Sequence, residues 1–318
     1  MPTAVMATDN ATDAPINDMS SSAFLCAREQ RWADFGYLQV HAHPQRPKTL
    51  LRAGTLCTGS APADITMNTT SLRAEIGSDL RRNLVIVPAH NEVEAISGTV
   101  AEIHASAPDF DVVVIDDGSS DETSARAAEA GAAVLRLPFN LGIGGAMQSG
   151  YLYALENGYE VAVQVDGDGQ HDPRNIHDLL AHLRANPALD MVTGSRFLVR
   201  ESEGFRSTGA RRVGIRILGG VISLITHQRV TDPTSGLRMT NRRGIALFAR
   251  EYPHDYPEVE AILLLHAHHL RRAEIPVIMR PRLTGTSAIS STQSVYYMVK
   301  VLLALFVGIF RARPERQE

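Results

Sequence analysis

Two aspartates separated by one glycine, Asp166 and Asp168, come directly after the apolar run Val161 to Val165. A tight turn of this kind lets two carboxylates leave the chain together and reach one divalent cation. Mg²⁺ commonly shares one or two carboxylates with the phosphates of a substrate, so the pair suits a diphosphate leaving group. The cation would neutralise charge that develops as a sugar–phosphate bond breaks. An acidic turn without a ligand is the alternative, because Asp and Gly are common turn residues.

A second pair of carboxylates, Asp116 and Asp117, ends the apolar run that starts at Val112. Burial of Asp116 without a partner would be costly, so we expect it to be hydrogen-bonded beside the end of the strand. Asp117 is better placed to accept hydrogen bonds from a nucleobase or a ribose. Capping of the next helix explains Ser119 but not two adjacent carboxylates, which favours a role in binding.

The stretch from Gly142 to Gly145 opens a predicted helix, and backbone N–H groups around Gly144 can approach a phosphate or a ribose there. The stretch is not a dinucleotide fingerprint, because Met147 stands where the third glycine belongs. Close packing of the helix on the sheet explains these glycines equally well.

Three arginines, Arg196, Arg211 and Arg212, follow the fifth apolar run. Guanidinium groups at this position would bind an anionic acceptor or a pyrophosphate, and solvated surface charges are the alternative. His266 and His269 lie on an apolar helical stretch without a matching cysteine or carboxylate pattern. We therefore interpret them as packed or surface histidines and not as metal ligands.

These residues are spaced by apolar runs that alternate with helical stretches. The runs cover residues 84–87, 112–115, 133–137, 161–165 and 191–193, and the helical stretches cover 91–106, 121–130, 144–157 and 175–185. Continuous apolar runs are typical of parallel strands covered on both faces, and their alternation with helices predicts a parallel sheet with right-handed crossovers. Ligands bind beyond the carboxyl ends of such strands, so the polar residues above should meet at one edge.

The chain divides into three predicted parts. Residues 1–82 show no sustained periodicity and are expected to be mostly disordered, whereas residues 83–290 form the catalytic domain. Residues 291–318 contain the apolar stretch from Val295 to Phe310, followed by arginines. It is short of the roughly 20 apolar residues of a membrane span. An interfacial helix is expected, and a helix buried on the domain is the alternative.

Composition narrows the functional classes. The 318 residues are 44% hydrophobic and 21% charged, which is ordinary for a globular protein, and the net charge of −4 gives no reason to expect a nucleic-acid partner. Cys26 and Cys57 are the only cysteines in the sequence, so neither a disulfide framework nor a cysteine metal site is supported. The first residues lack the pattern of a signal peptide, and we expect the catalytic part to stay in the cytosol.

Taken in order, the motifs resemble the dolichol-phosphate mannosyltransferase-like branch of the inverting GT-A glycosyltransferases, which transfer sugars to polyprenyl phosphates. The likeness runs from about Leu84 to Leu305. The segments that carry it are VPAHNE (87–92), VIDDGSSD (114–121), DGDGQH (166–171), GSRF (194–197), DPTSGLR (232–238) and YPEVE (256–260). The resemblance implies an α/β, Rossmann-like GT-A fold whose mostly parallel sheet is flanked by helices.

The resemblance also implies roles for individual residues. It implies a nucleotide cradle of Pro88, Ala89, Glu92 and Asp117, and a divalent metal, Mg²⁺ or Mn²⁺, held through Asp166 and Asp168 with Gln170 close by. Arg196, Arg211 and Arg212 would lie on the side of the lipid phosphate.

Glu260 stands where relatives keep an acidic residue near the acceptor, which makes it a candidate base for a hydroxyl acceptor. A phosphate acceptor needs no base. His90 departs from the family, which usually has a tyrosine there, and Gly167 replaces the more frequent alanine.

The sequence therefore predicts a glycosyltransferase of the hexosyltransferase class that moves a sugar, with inversion, from a nucleoside diphosphate sugar to an acceptor. We expect a polyprenyl phosphate acceptor, a role in cell envelope glycan synthesis, and a peripheral position on the inner face of the cell membrane. One alternative is a sugar nucleotidyltransferase, which normally carries a glycine-rich loop with a basic residue where this chain has AHNE (89–92). The other is a non-catalytic, membrane-associated protein that binds nucleotide sugars.

Overall fold

A computed structural model describes residues 40–41, 82–198 and 209–280, with side chains described at 82–198 and 212–280. Most of the N-terminal extension and all of residues 291–318 lie outside these ranges. The predicted disorder of the first part and the predicted interfacial helix of the last therefore stay predictions.

The described residues form eight strands and seven helices. The strands are β1 (Val40–His41), β2 (Asn83–Ala89), β3 (Phe110–Asp116), β4 (Ala133–Arg136), β5 (Val161–Gln164), β6 (Met191–Ser195), β7 (Arg238–Asn241) and β8 (Arg272–Pro276). The helices are α1 (Ile96–Ser106), α2 (Thr123–Glu129), α3 (Gly142–Glu156), α4 (Asn175–Ala185), α5 (Gly209–Thr226), α6 (Arg242–Arg250) and α7 (Pro257–Ala267).

The strands join in one sheet in the order β1-β4-β3-β2-β5-β7-β6-β8. Strands β2 to β5 are parallel to their neighbours in this group, and β6 is parallel to β8. The predicted α/β class and the mostly parallel sheet are confirmed.

One central strand, β7, runs antiparallel to both β5 and β6, which the sequence did not predict. Arg238, its first residue, pairs with Gln164 and Thr193 near the carboxyl ends of those strands. The chain therefore enters β7 from the ligand edge. Residues that precede this strand reach the same edge as residues that follow the other strands.

The first predicted helix starts later than expected. Asn91 was predicted to open it, but α1 begins at Ile96. Asn91 has a φ of 54°, in the left-handed region, and its N–H donates to Ser119 Oγ at 2.9 Å. This turn at the end of β2 connects the strand to the neighbouring loop, and it delays the helix by about one turn.

The sheet is buried on both faces. Leu84, Val85, Ile86 and Val87 are all fully buried, which explains why β2 is a continuous apolar run. A separate apolar cluster joins α5 to α7, and its members include Leu218, Ile222, Tyr256, Val259 and Ile262.

In the part of the chain that the structure describes, no helix is both long and apolar enough to cross a bilayer. At one edge of the sheet, β1 adds two residues of the N-terminal extension: Val40 pairs with Leu135 and His41 with Val134.

Candidate active site

A cleft of about 210 Å³ opens at the carboxyl ends of β2, β3 and β5. Its lining residues are Pro88, Ala89, His90, Glu92, Asp117, Ile143, Ala146, Asp166, Gly167 and Asp168. The fold thus brings together the two predicted carboxylate sites and the segment after β2. Ile143 and Ala146, from the first turn of α3, were not predicted, because the sequence does not show which face of that helix turns to the cleft.

Asp117 is fixed in the wall of the cleft by backbone groups from two segments, the end of β2 and the start of α3. Its N–H donates to the carbonyl of Ala89 at 2.9 Å, and its Oδ1 accepts from the N–H of Leu141 at 2.7 Å. Burial raises the pKa of the Asp117 carboxyl, and hydrogen bonds from the N–H groups of Leu141 and Gly142 act in the opposite direction. The carboxylate is therefore held at the start of α3, where the helix dipole favours negative charge.

Asp116 is fully buried and has structural partners, as expected for a carboxylate next to the end of a strand. Its Oδ1 accepts from the N–H of Ser119 at 2.8 Å, and its Oδ2 accepts from the hydroxyl of Ser124. Arg136 lies 3.8 Å from the same Oδ2 through its Nε. Asp116 therefore shapes the turn that presents Asp117, and it does not line the cleft.

Asp166 and Asp168 leave a turn that is held by two neighbouring side chains and by one backbone N–H of its own. Asp166 Oδ1 accepts from Gln164 Nε2 at 3.0 Å, and Asp168 Oδ1 accepts from the N–H of Gln170 at 3.0 Å. Between them, the carbonyl of Gly167 accepts from Thr99 Oγ1 of α1 at 3.1 Å. Both residues line the cleft from a turn that these hydrogen bonds hold in place.

His171 supports the same turn from behind, almost fully buried. The N–H of Asp166 donates to His171 Nδ1 at 3.0 Å, so this nitrogen is the acceptor and the ring proton of the neutral imidazole sits on Nε2. Nε2 lies 3.6 Å from Asp166 Oδ2. The imidazole therefore holds the backbone of Asp166 and lies next to its carboxylate.

The chemistry of this turn fits a divalent cation that shares its coordination with a substrate. In the described ranges, no group of three or more His, Cys, Asp and Glu residues could hold a metal ion by itself. Two carboxylates at the cleft leave room for phosphate oxygens and water, which is how Mg²⁺ is commonly bound. Gln170 does not line the cleft; its N–H donates to Asp168, and its carbonyl accepts from the N–H of Arg280 at 2.9 Å.

Gly144 is placed differently from the prediction of a nucleotide contact. A Cβ atom at this residue would lie 2.4 Å from the carbonyl oxygen of Pro253 and 2.6 Å from His254 Cα. Gly144 therefore lets the segment before α7 pack closely on α3, and it is not part of the cleft lining. Close packing, the alternative for this glycine, is what the structure shows, with a loop and not the sheet as the partner.

Arg196 is also placed differently from the prediction of an anion-binding group. It is 7% exposed and forms a bidentate pair with the buried Asp232, with Nε–Oδ2 and Nη2–Oδ1 distances of 2.6 and 2.7 Å. Nη2 also donates to Thr234 Oγ1 at 2.8 Å. The guanidinium thus holds the segment before β7 against the end of β6. Asp232 begins the segment DPTSGLR (232–238) of the family resemblance, but no role was predicted for it, because its partner is 36 residues away in the sequence.

The remaining predicted arginines lie on α5. Arg212 is exposed near the start of the helix, and the side chain of Arg211 is outside the described residues.

The acidic residue of α7 whose charge interacts with that of Asp166 is Glu258, whereas Glu260, the candidate base for a hydroxyl acceptor, has other charged neighbours. Burial raises the pKa of Glu258, the charge of Arg238 lowers it, and the charge of Asp166 raises it. Burial likewise raises the pKa of Glu260, but its charged neighbours are Asp255 and His254. Residues that are two positions apart on a helix point about 200° away from each other, so only one of these carboxylates can face the site.

The segment before β7 touches Asp166 through Gly236. A Cβ atom there would lie 2.9 Å from Asp166 Oδ2. Arg238, 1% exposed, donates through Nε to the carbonyl of Ser235 at 2.8 Å and through Nη2 to the carbonyl of Glu258 at 2.5 Å. This buried cation joins the segment to α7 and was not predicted as a site residue.

Comparison with known proteins agrees with this geometry. Residues 84–248, just over half of the chain, match the family model described as "Glycosyl transferase family 2". An uncharacterized protein of Methanocaldococcus jannaschii is 32% identical over 195 residues, which cover 61% of this chain and 79% of that protein. The undecaprenyl-phosphate mannosyltransferase of Micrococcus luteus is 39% identical over 120 residues, which cover 36% of this chain and 48% of the enzyme. The match thus spans about half the length of the Micrococcus enzyme.

A solved structure shows the same fold. Glucosyl-3-phosphoglycerate synthase from Mycobacterium tuberculosis, in complex with Mn²⁺, uridine diphosphate and phosphoglyceric acid, has a TM-score of 0.54 and 19% identity. The match covers 72% of this chain and 78% of that one. At this identity the likeness shows the fold alone.

Proposed function

The chain belongs to glycosyl transferase family 2, and from that membership we propose that it transfers a sugar from a nucleoside diphosphate sugar to a polyprenyl phosphate, with inversion at the anomeric carbon. It is a glycosyltransferase. This argues against the two alternative functions, a sugar nucleotidyltransferase and a non-catalytic protein that binds nucleotide sugars.

The observation that carries the proposal is the convergence of Asp117 with Asp166 and Asp168 on one cleft. Asp117 is held rigidly next to the start of α3, where it can accept hydrogen bonds from a ribose or a nucleobase. The two other carboxylates follow β5, which lies on the other side of β2 from β3, and we assign the diphosphate to that side. The cleft therefore has one wall for the nucleoside and one for the phosphates.

The diphosphate wall suits a cation that bridges protein and donor. Mg²⁺ or Mn²⁺ bound by Asp166 and Asp168 would supply Lewis-acid stabilisation of the departing nucleoside diphosphate. The M. tuberculosis synthase was crystallised with Mn²⁺, which supports this choice of metal for the fold. Gln164 contacts the Asp166 carboxylate directly, and His171 and Thr99 hold the backbone of the turn.

Inversion follows from a single displacement. An oxygen of the acceptor phosphate forms a bond to the anomeric carbon while the bond from that carbon to the diphosphate oxygen breaks on the opposite face. The electron pair of the broken bond leaves with the diphosphate. A phosphate acceptor is already anionic at neutral pH, so no protein base has to remove a proton. A hydroxyl acceptor would need one, and Glu258 and Glu260 of α7 are both candidates for it.

The acceptor is supported by the name of the Micrococcus relative, an undecaprenyl-phosphate mannosyltransferase. Arg212 is exposed on α5, and a guanidinium can bind a phosphate through two parallel hydrogen bonds. Arg211 belongs to the same helix and stays a candidate partner for the phosphate. We propose a peripheral position on the cytoplasmic face of the membrane, where a nucleotide sugar and a lipid phosphate meet.

The proposal is tested with the purified full-length protein, a panel of radiolabelled UDP-, GDP- and dTDP-sugars, and a short-chain polyprenyl phosphate in detergent with Mn²⁺. We expect one donor to label the lipid extract, and alkaline and acid treatment of the product to identify a sugar phosphodiester. Labelling of a soluble hydroxyl acceptor, without labelling of polyprenyl phosphate by any donor, would remove the lipid acceptor and retain the glycosyltransferase.

A further inference from the structure

Helix α5 leaves large apolar side chains uncovered. Seven large hydrophobic residues are exposed within the described ranges, and three of them, Val213, Ile217 and Leu224, belong to this helix. They are 54%, 53% and 76% exposed, respectively. Burial of apolar surface is favourable, so three such side chains on one helix indicate a surface that has a partner.

The three side chains share one face. With 3.6 residues per turn, positions 213, 217 and 224 lie within about 40° of one another around the helix axis. The opposite face carries Leu218 and Ile222, which are buried in the apolar cluster with α7. Helix α5 is therefore anchored to the domain by one apolar face and presents a second one outward.

All the charged residues of α5 are basic. Its 18 residues contain three arginines and no acidic residue, although the whole chain has a net charge of −4. Arg212 and Arg216 are exposed, and they lie on the same side of the outward apolar face, about 120° and 80° from its middle. An apolar stripe bordered by arginines is the pattern of a helix that lies in the interface of an anionic membrane.

The length of α5 agrees with a position along a surface. At 1.5 Å per residue its 18 residues extend about 27 Å, and the exposed apolar side chains are spread over about three turns. A flat bilayer surface contacts such a stripe along its whole length. Insertion across the bilayer is ruled out for this helix, because its other face is packed on α7.

We propose that the outward face of α5, made of Val213, Ile217 and Leu224 with Arg212 and Arg216 at its border, docks the protein on the surface of an anionic lipid bilayer. The apolar side chains enter the interface, and the guanidinium groups contact lipid phosphates. The docking does not depend on the acceptor proposed above, because bulk anionic lipid is the partner.

The test uses the full-length protein and vesicles that contain no polyprenyl phosphate. Sedimentation with phosphatidylcholine vesicles, with and without phosphatidylglycerol, measures binding. We expect binding that requires phosphatidylglycerol and that falls about tenfold in Ile217→Ser/Leu224→Ser, since two apolar side chains leave the interface. Arg212→Gln/Arg216→Gln should lower binding by about fivefold per arginine. Phe139→Ser is the matched control, an exposed apolar residue outside α5, and should bind like the wild type.

A second measurement identifies what covers the helix. In a Cys26→Ser/Cys57→Ser background, Ile217→Cys should react quickly with a membrane-impermeant maleimide in solution and slowly with anionic vesicles present. Slow reaction in both conditions would mean that another part of the chain covers α5. A dimer in light scattering that Ile217→Ser/Leu224→Ser dissociates would assign the face to a second copy. Coverage by another part of the chain or by a second copy overturns the proposal, and so does wild-type vesicle binding that none of the α5 variants lowers. Sugar transfer to polyprenyl phosphate in detergent is measured independently, so failure of the proposed function can be told from failure of the docking proposal.

Discussion

Gly236 lies against the carboxylate of Asp166, so closely that a Cβ atom at residue 236 would come within 2.9 Å of Oδ2 and 3.1 Å of Oδ1. The contact joins the segment before β7 to the turn after β5. The position of Asp166, a candidate metal ligand, therefore depends on Gly236, which lies 70 positions later in the chain and has no ionisable group of its own.

Gly236→Ala tests this contact. The added methyl group must displace the Asp166 carboxylate or the segment before β7, so we expect turnover to fall at least tenfold. Gly98→Ala is the matched control, because nothing lies within 4 Å of a Cβ there. Since residue 98 is inside α1, the control should gain up to about 1 kcal/mol in stability. Equal transfer rates for both variants and the wild type would contradict a role of the contact in placing Asp166.

Asp168→Ala removes one of the two carboxylates of the turn. We expect less than a tenth of the wild-type rate with an unchanged thermal midpoint, because the side chain lines the cleft and is not part of the core. Asp178→Ala, an exposed aspartate on α4, is the control and should keep full activity. A variant that transfers sugar at a near-normal rate in EDTA would show that the reaction does not need a metal at this turn.

How far the sequence predicts this site depends on the direction of each strand. Asp117, Asp166 and Asp168 were found because they follow parallel strands, and the carboxyl ends of parallel strands share an edge. Gly236 and Asp232 precede a strand. Both belong to the segment DPTSGLR (232–238) that carries the family resemblance, but the sequence does not show that the antiparallel course of β7 brings this segment to the edge. Glu260 was singled out by its place in the family motif, and that resemblance does not show that the charge of Glu258, on the same helix, acts on Asp166.

Arg280 connects the turn of Asp166 and Asp168 to α1. Its Nη1 donates to Glu102 Oε1 and Oε2 at 2.6 and 2.8 Å, and its Nη2 lies 3.1 Å from Asp172 Oδ1. We expect Arg280→Gln to raise the Mn²⁺ concentration needed for half-maximal activity several-fold while the maximal rate at saturating metal changes little. Arg174→Gln is the control, because Arg174 pairs with the same aspartate from an exposed position. An unchanged metal requirement in Arg280→Gln would assign the pair a purely structural role.

The same cluster predicts a dependence of stability on pH. Hydrogen bonds from Arg174 above all, and the charge of Arg280, lower the pKa of Asp172 to about 2. A carboxyl whose pKa is lower in the folded state stabilises the protein above its unfolded pKa, and this stabilisation is lost as the pH falls through the folded pKa. The contribution of Asp172 should therefore disappear between about pH 4 and pH 2. Urea unfolding in that window should show a smaller loss for Asp172→Asn than for the wild type.

Arg→Lys variants at residues 196 and 212 distinguish an arginine that stabilises the fold from one that is a candidate for binding the acceptor phosphate. Lysine cannot reproduce a bidentate guanidinium contact. Arg196→Lys would leave Asp232 buried with an incomplete partner, and breaking a buried pair costs about 3–5 kcal/mol. We therefore expect a large drop in the free energy of unfolding for Arg196→Lys, accompanied by loss of transfer.

Arg212→Lys should behave in the opposite way, because its side chain is exposed on α5. Its stability and its affinity for the nucleotide sugar should match the wild type, since Asp117 and the Asp166–Asp168 turn hold the donor elsewhere. If Arg212 binds the acceptor phosphate, the KM for a short-chain polyprenyl phosphate in detergent should rise, and Arg216→Lys on the same exposed side of the helix should leave it unchanged. A stable Arg196→Lys variant with normal donor affinity and a raised acceptor KM would instead return Arg196 to the phosphate site, and the Arg196–Asp232 pair would then have to open when the acceptor binds.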